Sequence, residues 1–258
     1  MSRSTFSRLR LAKLAAGIQF VMLIALCVGL VANNVSAQSQ PKSIQVLLLT
    51  GFDVKSHEWR KTSALVREVL EKDGLCKVVI CEDLGILESS SLKKYDVVLL
   101  NYGFWNEPDP SSDSKQALLN YVRSGKGIVA LHFACSAFQE WEEYTDVLGR
   151  VWKKGIGGHG PRGEFKVEIK DSKHPITRDM KGFHIDDELY ARLSGESSIE
   201  VLATAYSEWS KKTEPIVFVQ NFGKGRVVQN VLGHDLAARK HDSYQVLLRR
   251  SVSWAARR

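Results

Sequence analysis

Histidines recur where strand-like runs of this chain give way to loops: His132 after an apolar run, His159 in a glycine-rich stretch, His174 before Pro175, and His234 between Gly233 and Asp235. An imidazole in such a place can carry a proton near neutral pH or bind a metal ion, and it can equally brace a loop carbonyl. The run Asp186-Asp187-Glu188 adds carboxylates. Imidazole and carboxylate are the groups of general acid–base chemistry, and three such donors around an open position also make a catalytic zinc pattern. No short ligand-spacing motif picks out a metal set, so the metal ligands stay unassigned.

His132 ranks first among these residues, because it ends the strand-like run 127–131, where α/β sheets present their ligands. Adjacent acids in an extended segment point to opposite faces, so one of Asp187 and Glu188 can face a cleft while the other is solvated. Glu188 is taken as the inward acid and Asp187 as a substrate contact, against the alternative of a wholly solvated turn. Gly233 permits close backbone approach beside His234, and Asp235 can cap the next helix. His174, held extended by Pro175, reads as a loop brace. His57 and Trp59 follow the loop after the first strand, and Trp105 follows the third. Aromatic rings there suit stacking on a sugar ring, although tryptophan is also an ordinary core residue. The stretch Gly155-Ile156-Gly157-Gly158-His159-Gly160 lacks the strand-to-helix context of a nucleotide site, so it reads as a mobile lid carrying His159, and no nucleotide cofactor is expected.

These residues need a scaffold, and the spacing supplies one. The run 44–49 is apolar and ends at Thr50-Gly51, as a buried parallel strand does. A helix is expected from about residue 57 to 72, closed by Asp73-Gly74, then strands over 77–81 and 96–101, a helix over 111–123, and a strand over 127–131. That alternation means a doubly wound, mainly parallel sheet with helices on both faces. Later segments, 164–170 and parts of 199–206, alternate apolar and charged residues, as strands with one solvated face do. Segments 215–221 and 226–232, joined by Phe222-Gly223-Lys224-Gly225, form an antiparallel hairpin near the C-terminus, and a last helix runs over 242–255.

The amino end has Arg3, Arg8, Arg10 and Lys13 with no acid, then an apolar run over 20–32, then Val35 and Ala37. That order is a secretory signal peptide over 1–37, cleaved near Ala37, with 38–43 as linker and 44–258 as the α/β domain. Such a chain is exported to a periplasmic or extracellular space and meets a membrane only through an uncleaved signal segment. Cleavage removes four basic residues, so a formal charge of +7 falls to +3. The remaining basic residues are mixed with acids, which argues against a nucleic-acid partner. Cys76, Cys81 and Cys135 are an odd number, and Cys76 and Cys81 bracket an extended segment too long for a disulfide.

In order, Gly127-Ile128-Val129-Ala130-Leu131-His132, Trp141, Leu148-Gly149, His174-Pro175-Ile176, Asp187-Glu188-Leu189-Tyr190, Gly225-Arg226-Val227 and Gly233-His234-Asp235 resemble the trehalose-utilization (ThuA-like) family. The resemblance spans nearly all of 44–258. It implies a flavodoxin-like core of the class I glutamine amidotransferase-like superfamily and a pattern that retains the Asp-Glu pair. In amidotransferases of that superfamily a strand ends in a sharp turn presenting a nucleophilic cysteine, a relative of the hydrolase elbow. Here His132 holds the turn and Cys135 lies three residues on, so glutamine hydrolysis is not expected. The resemblance implies a sugar: the expected protein is a secreted enzyme acting on a small glycoside or keto-sugar by isomerisation, elimination or hydrolysis. His132 and Glu188 would share acid and base roles, His234 would position or polarise the carbonyl, and a divalent metal ion such as zinc would serve as electrophile. Two rivals remain: a non-catalytic sugar-binding protein of the same fold and a cysteine hydrolase using Cys135. Oligomeric state is not assigned.

Overall fold

The computed structural model describes residues 42–103 and 105–258, so the expected signal segment and most of the linker lie outside the described residues. Among the described residues no helix is long and apolar enough to cross a membrane.

Strands with no polar face need cover on both sides. β1 (Ile44–Leu49) is buried except at Gln45, and β3 (Val97–Leu100) and β4 (Gly127–Leu131) are buried throughout. β2 (Cys76–Cys81) alternates buried and exposed residues, as an edge strand should. All pair in parallel, in the order β2-β1-β3-β4. The steps from β1 to β2 and from β3 to β4 run opposite ways along the sheet. Right-handed crossovers therefore place α1 (Trp59–Glu71) and α2 (Ser112–Arg123) on opposite faces.

β10 (Lys212–Phe222) and β11 (Gly225–Asn230) form the antiparallel hairpin, and β11 pairs in parallel with β4. Antiparallel strands β9 (Glu200–Ser207), β6 (Gly163–Ile169) and β7 (Phe183–Asp187) extend the sheet to nine strands, ordered β2-β1-β3-β4-β11-β10-β9-β6-β7. The fold is α/β and flavodoxin-like, with a mainly parallel mixed sheet. α5 (Asp242–Ala255) packs on β4 and β11 and, with the short α4 (Leu236–Lys240), against α1. α3 (Glu142–Leu148) covers β10 and β11.

Three departures from the expected elements have physical causes. The first helix starts at Trp59 and not at residue 57, because Glu58 turns left-handed at φ 42° and His57 ends a separate 3-10 turn, Lys55–His57. β10 begins at Lys212 and not at 215, because it pairs with β9 as well as with β11. The glycine-rich lid pairs with the chain after β7: β5 (Gly158–His159) and β8 (Tyr190–Ala191) form a separate two-stranded antiparallel sheet. Elements this short leave no readable periodicity.

Candidate active site

The parallel strands deliver their carboxyl ends to one edge, where β1 and β3 lead to opposite flanks and open the crevice in which such sheets hold ligands. The loops after β1, β4 and β11 bring in His57, His132 and His234, and the β7–β8 connection brings Glu188. One donor atom from each of these four residues lies within 4.8 Å of every other. The His57 ring stands 5.0 Å from His132 and 4.9 Å from His234, nearly perpendicular to both.

Each ring is held by its own local geometry. The buried His57 donates from Nδ1 to Asp53 Oδ1 at 2.6 Å, which leaves Nε2 as the nitrogen not engaged by Asp53. His132 follows β4 at φ 46°, a left-handed conformation that a residue with a Cβ adopts only when its surroundings enforce it. Its Nδ1 lies 2.8 Å from the Val231 carbonyl, which can only accept, so Nδ1 carries the proton. Nε2 then accepts the Tyr190 hydroxyl at 2.7 Å. Burial, with the neighbouring His57, holds the His132 pKa well below the usual imidazole range, so the ring is neutral. His132 therefore addresses the cleft through Tyr190.

Glu188 Oε2 lies 3.0 Å from His234 Nδ1, 3.7 Å from His159 Nε2 and 3.9 Å from His132 Nε2. Burial alone would raise this carboxyl, but His234, and then His159 and His57, bring it below its usual value. Burial would likewise lower His234, and Glu188 and Asp187 reverse that and raise it. His234 Nδ1 and Glu188 Oε2 form an ion pair, and among the described residues this buried nitrogen has no aligned hydrogen-bond partner.

Asp187, expected to touch substrate or solvent, is instead fully buried and works as a strut. Its Oδ1 accepts the backbone N–H of Glu188 at 2.9 Å and of His234 at 2.9 Å, and its Oδ2 accepts that of Gly233 at 2.6 Å. Gly233 has φ 99°, and a Cβ there would meet the Tyr244 ring at 2.6 Å. The buried Arg239 clamps the same loop, donating to the Gly233 carbonyl at 2.8 Å and to Asn101 Oδ1 at 2.7 Å. Asp235 caps α4 by accepting from Ala238 N.

Aromatic rings wall the cluster. Phe133 stands 5.1 Å from His57, Trp105 and Trp152 each 5.7 Å from Phe133, and Trp152 4.7 Å from Tyr190. His159, on the strap β5, is exposed at the mouth beside Tyr190 and Glu188. Trp59 lies on the first turn of α1, its ring 4.0 Å under the Arg60 guanidinium. Cys135 is fully buried, and burial pushes its thiol up to about 12, away from the thiolate that a nucleophile needs. His174 braces its own loop, accepting from Ile176 N at 3.2 Å. Asp53, Phe133, Trp152 and Tyr190 were not read from the sequence as site residues. The i, i+4 spacing of Asp53 and His57, and the two-residue step from Glu188 to Tyr190, were the signals available.

A family model described as trehalose utilisation, ThuA, matches residues 45–255. The chain belongs to the ThuA family. Membership points to a carbohydrate-related function. A ThuA-like protein from Parabacteroides merdae is similar to this ThuA-family chain at 27% identity and TM-score 0.73, over 83% of this chain and 90% of its own. A ThuA-like protein from Bacteroides uniformis is similar at 18% identity and TM-score 0.67, over 85% and 94%. A glutamine amidotransferase from Thermotoga maritima shares the fold at 16% identity and TM-score 0.50, over 84% of this chain and 100% of its own. Comparison with curated proteins gave no match.

Proposed function

We propose that this ThuA-family chain is an exported carbohydrate-processing enzyme that moves a proton on a keto-sugar or small glycoside, in an isomerisation, elimination or hydrolysis. The observation that carries this reading is the convergence of His132, Glu188 and His234 on one point at the carboxyl edge of the sheet, from three segments far apart in sequence. A keto group acidifies the neighbouring C–H, and a carboxylate or a hydroxyl backed by imidazole is a suitable proton carrier. Two such units face each other here. Tyr190 is backed by His132 on one side, and Glu188 lies beside His234 on the other. The wall of Trp105, Phe133 and Trp152 offers ring faces for a sugar, with His159 at the entrance. The basic start, apolar run and small residues at Val35 and Ala37 support export.

The test is incubation with keto-glucosides and keto-disaccharides in D2O, followed by NMR. Deuterium should enter at the carbon next to the carbonyl, or the glycosidic bond should break. His132→Ala and Glu188→Ala should each slow this about a hundredfold or more, as loss of an acid or base does. Tight sugar binding with neither exchange nor cleavage would replace the enzyme by a sugar-binding protein of the same fold.

A further inference from the structure

We propose that His57, His234 and Glu188 form a mononuclear site for a divalent transition metal of the zinc type, with the fourth position open toward Tyr190. The donor set is two imidazole nitrogens and one carboxylate oxygen, which is a catalytic zinc pattern. At the metal–ligand lengths of zinc, tetrahedral donors stand about 3.3 Å apart. Here the donors span distances from 3.0 Å, between His234 Nδ1 and Glu188 Oε2, up to the 4.8 Å limit of the group, so small side-chain shifts suffice.

Three further observations separate this cluster from an ordinary ion-pair network. Among the described residues His234 Nδ1 is buried and has no aligned hydrogen-bond partner, only the ion pair with a carboxylate oxygen 3.0 Å away. A shared ion would take this nitrogen and this oxygen as co-ligands in place of their direct ion pair. His57 Nδ1 is committed to Asp53, which is the arrangement that fixes the tautomer and orientation of a metal-binding imidazole and leaves Nε2 for the metal. Asp187 holds Glu188 and His234 in register through their own backbone N–H groups, so both donors are set by one buried carboxylate. His132 is excluded from the donor set because both its nitrogens are already engaged, by Val231 and Tyr190.

This inference uses the residues of the keto-sugar reading, and it assigns them differently: a bound ion makes Glu188 and His234 ligands and leaves Tyr190, backed by His132, as the proton carrier. The ion would supply a Lewis acid for a sugar oxygen. Metal binding is measured without sugar, so either reading can fail alone. The full mature chain is stripped with a chelator, dialysed against zinc or cobalt(II) alone, and analysed for metal content and for cobalt absorption. One equivalent per chain is expected, with visible bands of a four- or five-coordinate ion and a zinc-dependent rise in Tm. His57→Ala and His234→Ala should each weaken binding about a hundredfold or more, Asp53→Asn about tenfold to a hundredfold, and Tyr190→Phe should keep the full equivalent. Wild-type protein that takes up no stoichiometric metal would overturn the proposal. So would a folded His57→Ala, His234→Ala double variant that binds metal as the wild type does, or a Tyr190→Phe or His132→Asn variant that alone abolishes binding.

Discussion

The carboxylate of Asp187 accepts the backbone N–H of His234 at 2.9 Å across 47 residues of sequence, and it accepts the N–H of Glu188 beside it. One buried acid thus sets the spacing of two site residues that come from separate loops. Replacing it by alanine leaves three backbone N–H groups, one buried and two part-buried, without this acceptor. Asp187→Ala should therefore cost about 3 kcal/mol or more, read from denaturant midpoints, and should weaken zinc binding as well. A variant of wild-type stability would show that water or loop movement replaces the strut.

Tyr190→Phe tests the pairing with His132 directly. The ring stays, so packing is kept, but the buried Nε2 of His132 loses its donor. Stability should fall by about 1–3 kcal/mol, and keto-sugar turnover by about a hundredfold with little change in KM. Equal turnover in the variant would remove Tyr190 from proton transfer.

Thiol chemistry separates a cysteine hydrolase from the proposed enzyme. Cys135 and Cys76 are buried, and burial raises their thiols to about 12 and about 11. Of the cysteines in the described residues, only the half-buried Cys81 should be alkylated in the native state at pH 8, and Cys135→Ala should keep full turnover. Because the folded state holds Cys135 protonated, its stabilising contribution is complete below the ordinary thiol value of 9.0 and is lost as pH rises through about 12. Chemical denaturation between those limits should show a loss on the order of 4 kcal/mol that the Cys135→Ala variant lacks.

The strap offers a test of access. A Cβ on Gly158 would meet the Trp209 ring at 2.3 Å, so Gly158→Ala must push the strap or the ring aside. Overpacking of this kind costs about 1–3 kcal/mol. Sugar affinity should fall about tenfold while turnover at saturation changes little. Adding Trp209→Ala should return most of the affinity by making room, and failure to do so would mean that the strap does not border the sugar.

The sheet was legible where sequence pattern and burial coincide. β1, β3 and β4 are apolar because helices cover both faces, and the runs that announce them are local. His132, Glu188 and His234 were legible as strand-end residues, and the hairpin announced itself through Phe222-Gly223-Lys224-Gly225. Asp187 departs from the expected substrate contact, because period-two alternation tells which side of a strand a residue takes but not that the inward carboxylate is taken up by backbone N–H groups of a distant loop. Trp59 falls on the expected helix, but which way its ring turns is set by the Arg60 guanidinium 4.0 Å from it, a contact that residue type alone does not announce. Asp53, Tyr190 and Trp152 gain their roles only from contacts across the fold, and no local pattern encodes those.

The strand formed last in the chain, β11, lies at the centre of the sheet between β4 and β10. In a chain made from its amino end, β4 keeps an open edge until the hairpin has been synthesised, and all five of its residues are ones the finished protein buries. An open apolar edge of that kind is a template for pairing with other chains. The Val231 carbonyl that fixes the His132 ring belongs to the same late segment, as does His234. Completion of the sheet and assembly of the histidine cluster are therefore a single event in biosynthesis, and a chain truncated before Gly225 has neither.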